Sequence, residues 1–250
     1  MIESFGTTDV GCSRERNEDR ILLDEGLGLY IVADGMGGHS YGAMAAELAI
    51  STMQHYLESS RERLDVTWPF GYNFDLSVEA NRMVTAIQLA NRQVWRQSEQ
   101  APEYAGMGTT IAAVIRTGHR MTVGNVGDSR VYLYHEGSLR QITVDDTWMQ
   151  AIAGLGVQID KGKYPLRNFL TQSAGSKDVI EVHLAEVDPA PNDMVMICSD
   201  GLHGLAGEVE IAAALGSGKP LRGIVYDLIG MAKQAGGTDN VSAILLAVKE

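Results

Sequence analysis

The pattern of apolar and polar positions divides the chain into elements. Leu29-Tyr-Ile-Val-Ala33 is a short apolar run of β-forming residues with glycines before it and Asp34-Gly35 after it, and it predicts a buried strand ending in a sharp turn. From Gly42 to Leu57 the period changes: Ala45, Leu48, Ala49 and Met53 recur at helical spacing. A second stripe, Met83, Ile87, Ala90 and Val94, predicts a helix over Val78–Gln97. Between the two helices, Arg61 to Asp75 holds Trp68, Pro69, Gly71 and Asn73 and reads as a long irregular surface insertion.

Four strand candidates follow, Ile111–Arg116, Met121–Val126, Arg130–Tyr134 and Leu139–Ile142. The Thr-Gly-His, Gly-Asp-Ser and Glu-Gly-Ser turns between them predict an antiparallel meander. Asp145–Lys177 is mixed and glycine-spaced, which predicts a partly helical excursion returning to the sheet near Val179–Val187. Met194–Cys198 is another apolar strand, closed by Ser199-Asp200-Gly201, and Asp239-Asn240 opens a last strand over Val241–Val248. There is no internal repeat or low-complexity tract.

Composition narrows the function classes. At 250 residues, with 45% hydrophobic and 21% charged positions, the chain is an ordinary globular sequence, read as one domain over 1–250. The net charge of −12 argues against a protein that grips nucleic acid by its phosphates, since there is no basic field to release counterions. A chain this acidic needs local cations to handle a phosphorylated substrate, and bound metal ions are the economical source. Its 2 cysteines, Cys12 and Cys198, have no paired spacing, so neither a disulfide framework nor a cysteine zinc site is expected. The start of the chain lacks a signal-peptide pattern and no window is apolar enough to span a membrane, so the expected location is the cytoplasm.

Carboxylates recur at strand boundaries. Asp34 and Asp200 each end a predicted strand, Asp239 precedes one, Glu18-Asp19 stands before the first strands, and Asp128 lies in a tight turn. Converging strand ends would bring these acids together, where they would repel unless cations sat among them. Oxygen ligands without His or Cys suit Mg²⁺ or Mn²⁺, and an aspartate bridging two such ions can generate hydroxide near neutral pH. Each residue alone has a plainer reading. Asp-Gly is a common turn dipeptide, Asp128 fits a hairpin turn, Glu18-Asp19 fits a solvated pair, Arg14 fits a surface residue, and His39 fits a helix cap.

Five segments occur in order: Gly11-Cys-Ser-Arg-Glu-Arg-Asn-Glu-Asp19, Val32-Ala-Asp-Gly-Met-Gly-Gly-His39, Gly127-Asp-Ser-Arg130, Cys198-Ser-Asp-Gly-Leu202 and Gly237-Thr-Asp-Asn-Val241. Together they resemble the type 2C metal-dependent protein serine/threonine phosphatases, the PPM family, in its compact bacterial form, from about Thr8 to Val248. The resemblance implies an α+β fold, a four-layer α/β/β/α sandwich of two antiparallel sheets flanked by helices, with a flap subdomain about 145–177 beside the active site. It implies that Asp34 bridges two Mn²⁺ or Mg²⁺ ions, that the Gly35 carbonyl binds one of them, and that Asp200 and Asp239 complete the other. Glu18 and Asp19 would act through metal-bound waters, and Asp128 with Asp200 would hold a third, weaker metal. Arg14 would bind the substrate phosphate, and water between the metals would attack phosphorus in line, with no phosphoenzyme.

The implied substrates are phosphoproteins of a cognate serine/threonine kinase, and the implied state is a monomer. Two departures stand out. Met36 occupies the position where animal members carry a histidine general acid, a role that His39, three residues on, does not simply inherit; His39 is kept as an accessory candidate. Asp145-Asp-Thr147 stands where many relatives read Asp-His-Ser. A catalytically silent pseudophosphatase acting as a binding module is the alternative, and retention of Asp34, Asp200 and Asp239 argues against it. Gly162-Lys163 lacks the glycines of a P-loop, and Gly127-Asp-Ser129 fails the nucleophile-elbow pattern at Val131.

Overall fold

The computed structural model describes residues 2–37, 41–61, 67–154 and 169–249. Its strands, in chain order, are β1 (Ile2–Asp9), β2 (Arg20–Asp24), β3 (Leu29–Ala33), β4 (Gly35–Met36), β5 (Gly108–Thr109), β6 (Ile111–Thr117), β7 (Arg120–Val126), β8 (Arg130–His135), β9 (Ser138–Gln141), β10 (His183–Val187), β11 (Met194–Cys198) and β12 (Val241–Val248). The helices are α1 (Tyr41–Ser60), α2 (Val78–Ser98), α3 (Trp148–Gly154), α4 (Asp200–His203), α5 (Glu208–Leu215) and α6 (Leu221–Gln234).

Uninterrupted apolar runs form strands here because both of their faces are covered. In β3, Leu29, Ile31 and Ala33 join a core with α1 and α2, while Tyr30 and Val32 join a core between two sheets. The period of two thus separates one apolar layer from another. β12 repeats the device: Val241, Ala243 and Leu245 face α6, and Ile244 and Leu246 face the opposing sheet. One sheet runs β1-β12-β11-β8-β9 and the other β10-β7-β6-β3-β2, with every neighbouring pair antiparallel. α1 and α2 cover the second sheet, and α5 and α6 cover the first. The result is the four-layer α/β/β/α sandwich.

The helical stripes behave as their spacing predicts. Met83, Ile87, Ala90 and Val94 are fully buried on α2, as are Ala45, Ala49 and Met53 on α1, with Leu48 half-buried beside them. Ser77 caps α2, its Oγ accepting the Ala80 N–H at 3.0 Å. In the insertion, residues 62–66 lie outside the described residues, and from Thr67 to Ser77 the chain forms turns.

Two expectations change. The four strands after Ile111 are not one meander, because β6 and β7 belong to one sheet and β8 and β9 to the other. Gly127-Asp-Ser129 is therefore no hairpin turn but the crossover between sheets, and Gly127, at φ +96, makes the bend. The return from the excursion is also later than Val179, with β10 beginning at His183. Within that excursion α3 is the helix found among the described residues, while residues 155–168 lie outside them.

Candidate functional site

The acids gather where strands of both sheets end. Asp34 directly follows β3, Asp200 follows β11 as the first residue of α4, Asp239 stands two residues before β12, and Asp128 occupies the crossover after β7. The main chain of Asp34 is pinned from three directions. Its N–H donates to Thr110 Oγ1 (3.0 Å), and its carbonyl accepts the Thr110 N–H (2.8 Å) and the Thr109 hydroxyl (3.0 Å). Ser129 Oγ lies 2.7 Å from Thr110 Oγ1 and ties this strand end to the crossover.

Glycines let the segments approach. A Cβ on Gly35 would lie 2.1 Å from the Gly42 carbonyl oxygen and 2.8 Å from that of Glu18, so β4, the first turn of α1 and the Glu18 segment meet main chain to main chain. A Cβ on Gly201 would lie 1.9 Å from the Asn240 carbonyl oxygen, which brings Asp200 beside Asp239.

Asp34, Asp128, Asp200, Asp239, Glu18 and Arg14 line one cleft of about 700 Å³. Asp19 lies beneath its floor, fully buried, with Oδ2 accepting the hydroxyls of Ser199 (2.8 Å) and Ser242 (2.6 Å). Crowding makes these acids hard to ionise. Burial, then the charges of Asp19, Asp200, Asp239 and Asp128, drives Asp34 well above the usual carboxylate range. Burial raises Asp19 to about 6 against the pull of the two serines, and burial with Asp200 and Asp145 raises Asp128 to about 7. Asp200 is raised by burial and by Asp239, with hydrogen bonding to Asp34 opposing. Glu18 is raised by burial and Asp239 while Arg14 pulls it down.

The donor set fits hard divalent cations. Asp19 Oδ1 and Asp200 Oδ1 are buried with no hydrogen-bond partner, a costly arrangement unless a cation or its water completes them. Among the described residues no three acid, His or Cys side chains are grouped closely enough to hold a metal ion by themselves. An open ring of oxygens suits ions that take one or two carboxylates and keep most of their water, as Mg²⁺ does.

Arg14 reaches the cleft from the loop after β1, with Nη2 2.7 Å from Asp239 Oδ2 and the pair largely exposed. An exposed pair of this kind is worth about 0–1 kcal/mol, so the guanidinium can trade Asp239 for a phosphate at little cost. Met36 forms part of the cleft wall, and His39 lies outside the described residues.

Other residues hold the site in place in ways the sequence reading did not assign to them. Asn240 donates to the carbonyls of Val10 and Arg16, both at 2.9 Å, and accepts the Glu18 N–H at 2.8 Å, bolting the Arg14 loop to β12. Asp145 takes a bidentate pair from Arg130, with Nη2 to Oδ2 at 2.7 Å. Asp146 accepts the Gly127 N–H (2.8 Å) and the Gln172 amide (2.9 Å), and its Oδ1 lies 2.8 Å from His183 Nε2. The Asp145-Asp146 pair thus braces the crossover that carries Asp128. Asp-Asn at the start of β12 was the available signal for Asn240; Asp146 stood out only as a departure from relatives, and nothing local marks its bracing role, whose partners lie 19 to 37 residues away.

Comparison with known proteins agrees with this geometry. Residues 13–245 match the model of the protein phosphatase 2C family. The chain is 32% identical over 250 residues to the serine/threonine protein phosphatase PstP of Mycobacterium tuberculosis, covering 99% of this chain and 45% of that protein, so it spans less than half of this relative's length. The S. agalactiae serine/threonine phosphatase superposes with a TM-score of 0.87 at 30% identity, covering 100% of both chains. The catalytic domain of PstP in complex with 2 manganese ions superposes with a TM-score of 0.81 at 29% identity, covering 100% of this chain and 99% of that one. With the match extending over nearly all of its length, the chain belongs to the protein phosphatase 2C family.

Proposed function

We propose that this chain hydrolyses phosphoserine and phosphothreonine in proteins with the help of Mn²⁺ or Mg²⁺, acting on the products of a cognate serine/threonine kinase. The observation that carries this reading is the acidic cleft, in which buried oxygens of Asp19 and Asp200 lack partners and burial and mutual repulsion push Asp34 far above its usual range. The manganese complex of a PstP catalytic domain supports the choice of metal.

Asp34, the Gly35 carbonyl, Asp200 and Asp239 are the residues that would hold two ions, with Glu18 and Asp19 acting through their waters and Asp128 with Asp200 holding a third. When bound, such ions supply positive charge for the phosphoryl oxygens and lower the pKa of water enough to make it a nucleophile. The chain's own residues position and neutralise, which is most of what phosphoryl transfer asks of a protein. Arg14 exchanges Asp239 for the phosphate oxygens, where a guanidinium fork fits well. Asn240 keeps the Arg14 loop and Glu18 in register with β12. Met36 has no proton to give, so the proton for the departing serine or threonine oxygen must come from a group other than the residue after the Asp34-Gly35 pair, with water as one candidate.

The reading is tested by phosphate release from a phosphothreonine peptide and a phosphotyrosine peptide, each with Mn²⁺, with Mg²⁺ and with chelator. The expected result is metal-dependent turnover of the phosphothreonine peptide; turnover that survives chelation would overturn the reading.

A further inference from the structure

A second cavity lies at the other end of β3 from the acidic cleft. It is bounded by the turn after β2, the turn after β6, the end of α1 and the start of α2, and it holds about 260 Å³. β3 runs from Leu29, which lines this cavity, to Asp34 in the cleft, and at about 3.3 Å per residue that places the two roughly 17 Å apart. Arg61, Arg82 and Arg116 line it together with Glu79.

Three guanidinium groups converging in one small cavity repel one another, and the chain's net charge of −12 makes such a concentration of basic groups notable. Among the described residues no carboxylate lies within ion-pairing distance of any of the three. Part of their hydrogen-bonding capacity has a structural use. Arg82 Nη2 donates to the Ser60 carbonyl at 2.8 Å, which caps the end of α1, and Arg61 donates to the Gly26 carbonyl. Arg116 Nη1 reaches the Gly118 carbonyl at 3.4 Å and its guanidinium meets the Tyr30 hydroxyl, but Nε of Arg82 and Nε of Arg116 are buried without an acceptor among the described residues.

We infer that this cavity binds a phosphate-class oxyanion, either inorganic phosphate or the phosphoryl group of a modified side chain. Among the described lining residues, three guanidinium charges stand against the single carboxylate of Glu79, an excess of two positive charges. A phosphate monoester brings about −1.5 to −2, which matches that excess, and its oxygens accept the paired donors of a guanidinium fork. The cavity is smaller than the roughly 300–1,000 Å³ of sites for drug-sized ligands, so it takes a phosphoryl head and not a whole nucleotide.

The test uses the metal-stripped protein, freed of chelator by gel filtration so that the distant cleft holds no cation to attract phosphate. Sodium phosphate is titrated against sodium chloride at matched ionic strength while the Nε–Hε resonances of Arg82 and Arg116 are followed by NMR. Both signals should move to saturation with phosphate and not with chloride, and Arg116→Gln should weaken the response of Arg82 at least tenfold. Signals that move no further with phosphate than with chloride would overturn the inference, as would an unchanged midpoint in a folded Arg116→Gln variant. A phosphothreonine peptide and its unphosphorylated form make the second arm. Tighter saturation with the phosphopeptide than with inorganic phosphate identifies a modified protein as the source, and saturation with inorganic phosphate alone identifies the free ion. The wild-type titration stands even if the variant fails to fold, and its outcome is independent of phosphatase activity.

Discussion

On the proposed function, Asp34 sets metal binding against stability at a single residue. In the metal-free protein its carboxyl faces Asp19, Asp200, Asp239 and Asp128 from a buried position, so an amide there removes repulsion without changing shape. Asp34→Asn should therefore stabilise the metal-free protein by on the order of 1 kcal/mol or more, seen as a higher melting temperature, while removing the extra stability expected from Mn²⁺ in the wild type. Thermal unfolding with chelator and with Mn²⁺ measures both, and a lower metal-free melting temperature would contradict the crowding argument. At Arg14 the expected loss is in substrate binding. Arg14→Ala should raise KM about tenfold or more, in line with about 1.5–3 kcal/mol for a hydrogen bond to a charged group, with a smaller change in kcat. Steady-state kinetics on a phosphothreonine peptide checks this, and an unchanged KM removes Arg14 from the phosphate site. The acids were legible in the sequence because Asp34, Asp200 and Asp239 sit at the boundaries of apolar runs that are easy to read. Asp146 and the serines under Asp19 were not, since their roles rest on partners that only the folded chain brings near.

Among the elements, β3, β11 and β12 were the most legible, because helices on one side and a sheet on the other leave their apolar runs unbroken. The β7–β8 connection was not. Gly-Asp-Ser between two strand patterns has the composition of a hairpin turn, and which sheet a strand joins depends on partners far along the chain: β8 pairs with β11 and β7 with β10. That misreading concerned the segment that delivers Asp128 to the cleft. Of the fold's elements, β1, β2, β4, β5, α4, α5 and α6 were given no range in the sequence reading, although Ile224, Val225, Leu228 and Ala232 bury one face of α6 at helical spacing. Asn240 links elements and is the residue whose loss should spread furthest. Asn240→Ala removes two donors and one acceptor that join β12 to the loop after β1 and to Glu18, at an expected cost of about 2–4 kcal/mol from the main-chain groups left unpaired. Urea unfolding gives that value. Since Arg14 rides on the same loop, KM should rise in this variant as well.

Across the whole molecule, the two sheets turn one end of the sandwich into an acidic site where, on the proposed function, metal would compete with protons. Asp19 at about 6 and Asp128 at about 7 lie above the usual carboxylate value, so in the metal-free protein the protonated forms favour folding. That contribution is complete below about pH 4 and is lost as pH rises through 6 and 7. A divalent cation replaces those protons, so the gain in melting temperature on adding Mn²⁺ should grow from pH 5 to pH 7.5. His203, lowered to about 4 mainly by burial, weakens folding as pH falls from 6.5, but it does so with and without metal and drops out of the difference. A gain that is flat across this range would show that the acids do not hold the cation. The most direct measurement is the rate of phosphate release from a phosphothreonine peptide at saturating Mn²⁺, compared between the wild type and Asp34→Ala. The account predicts turnover in the wild type that chelator abolishes, and a loss of at least about 100-fold in the variant, or about 2.7 kcal/mol of transition-state stabilisation. Equal rates in the two proteins would contradict it.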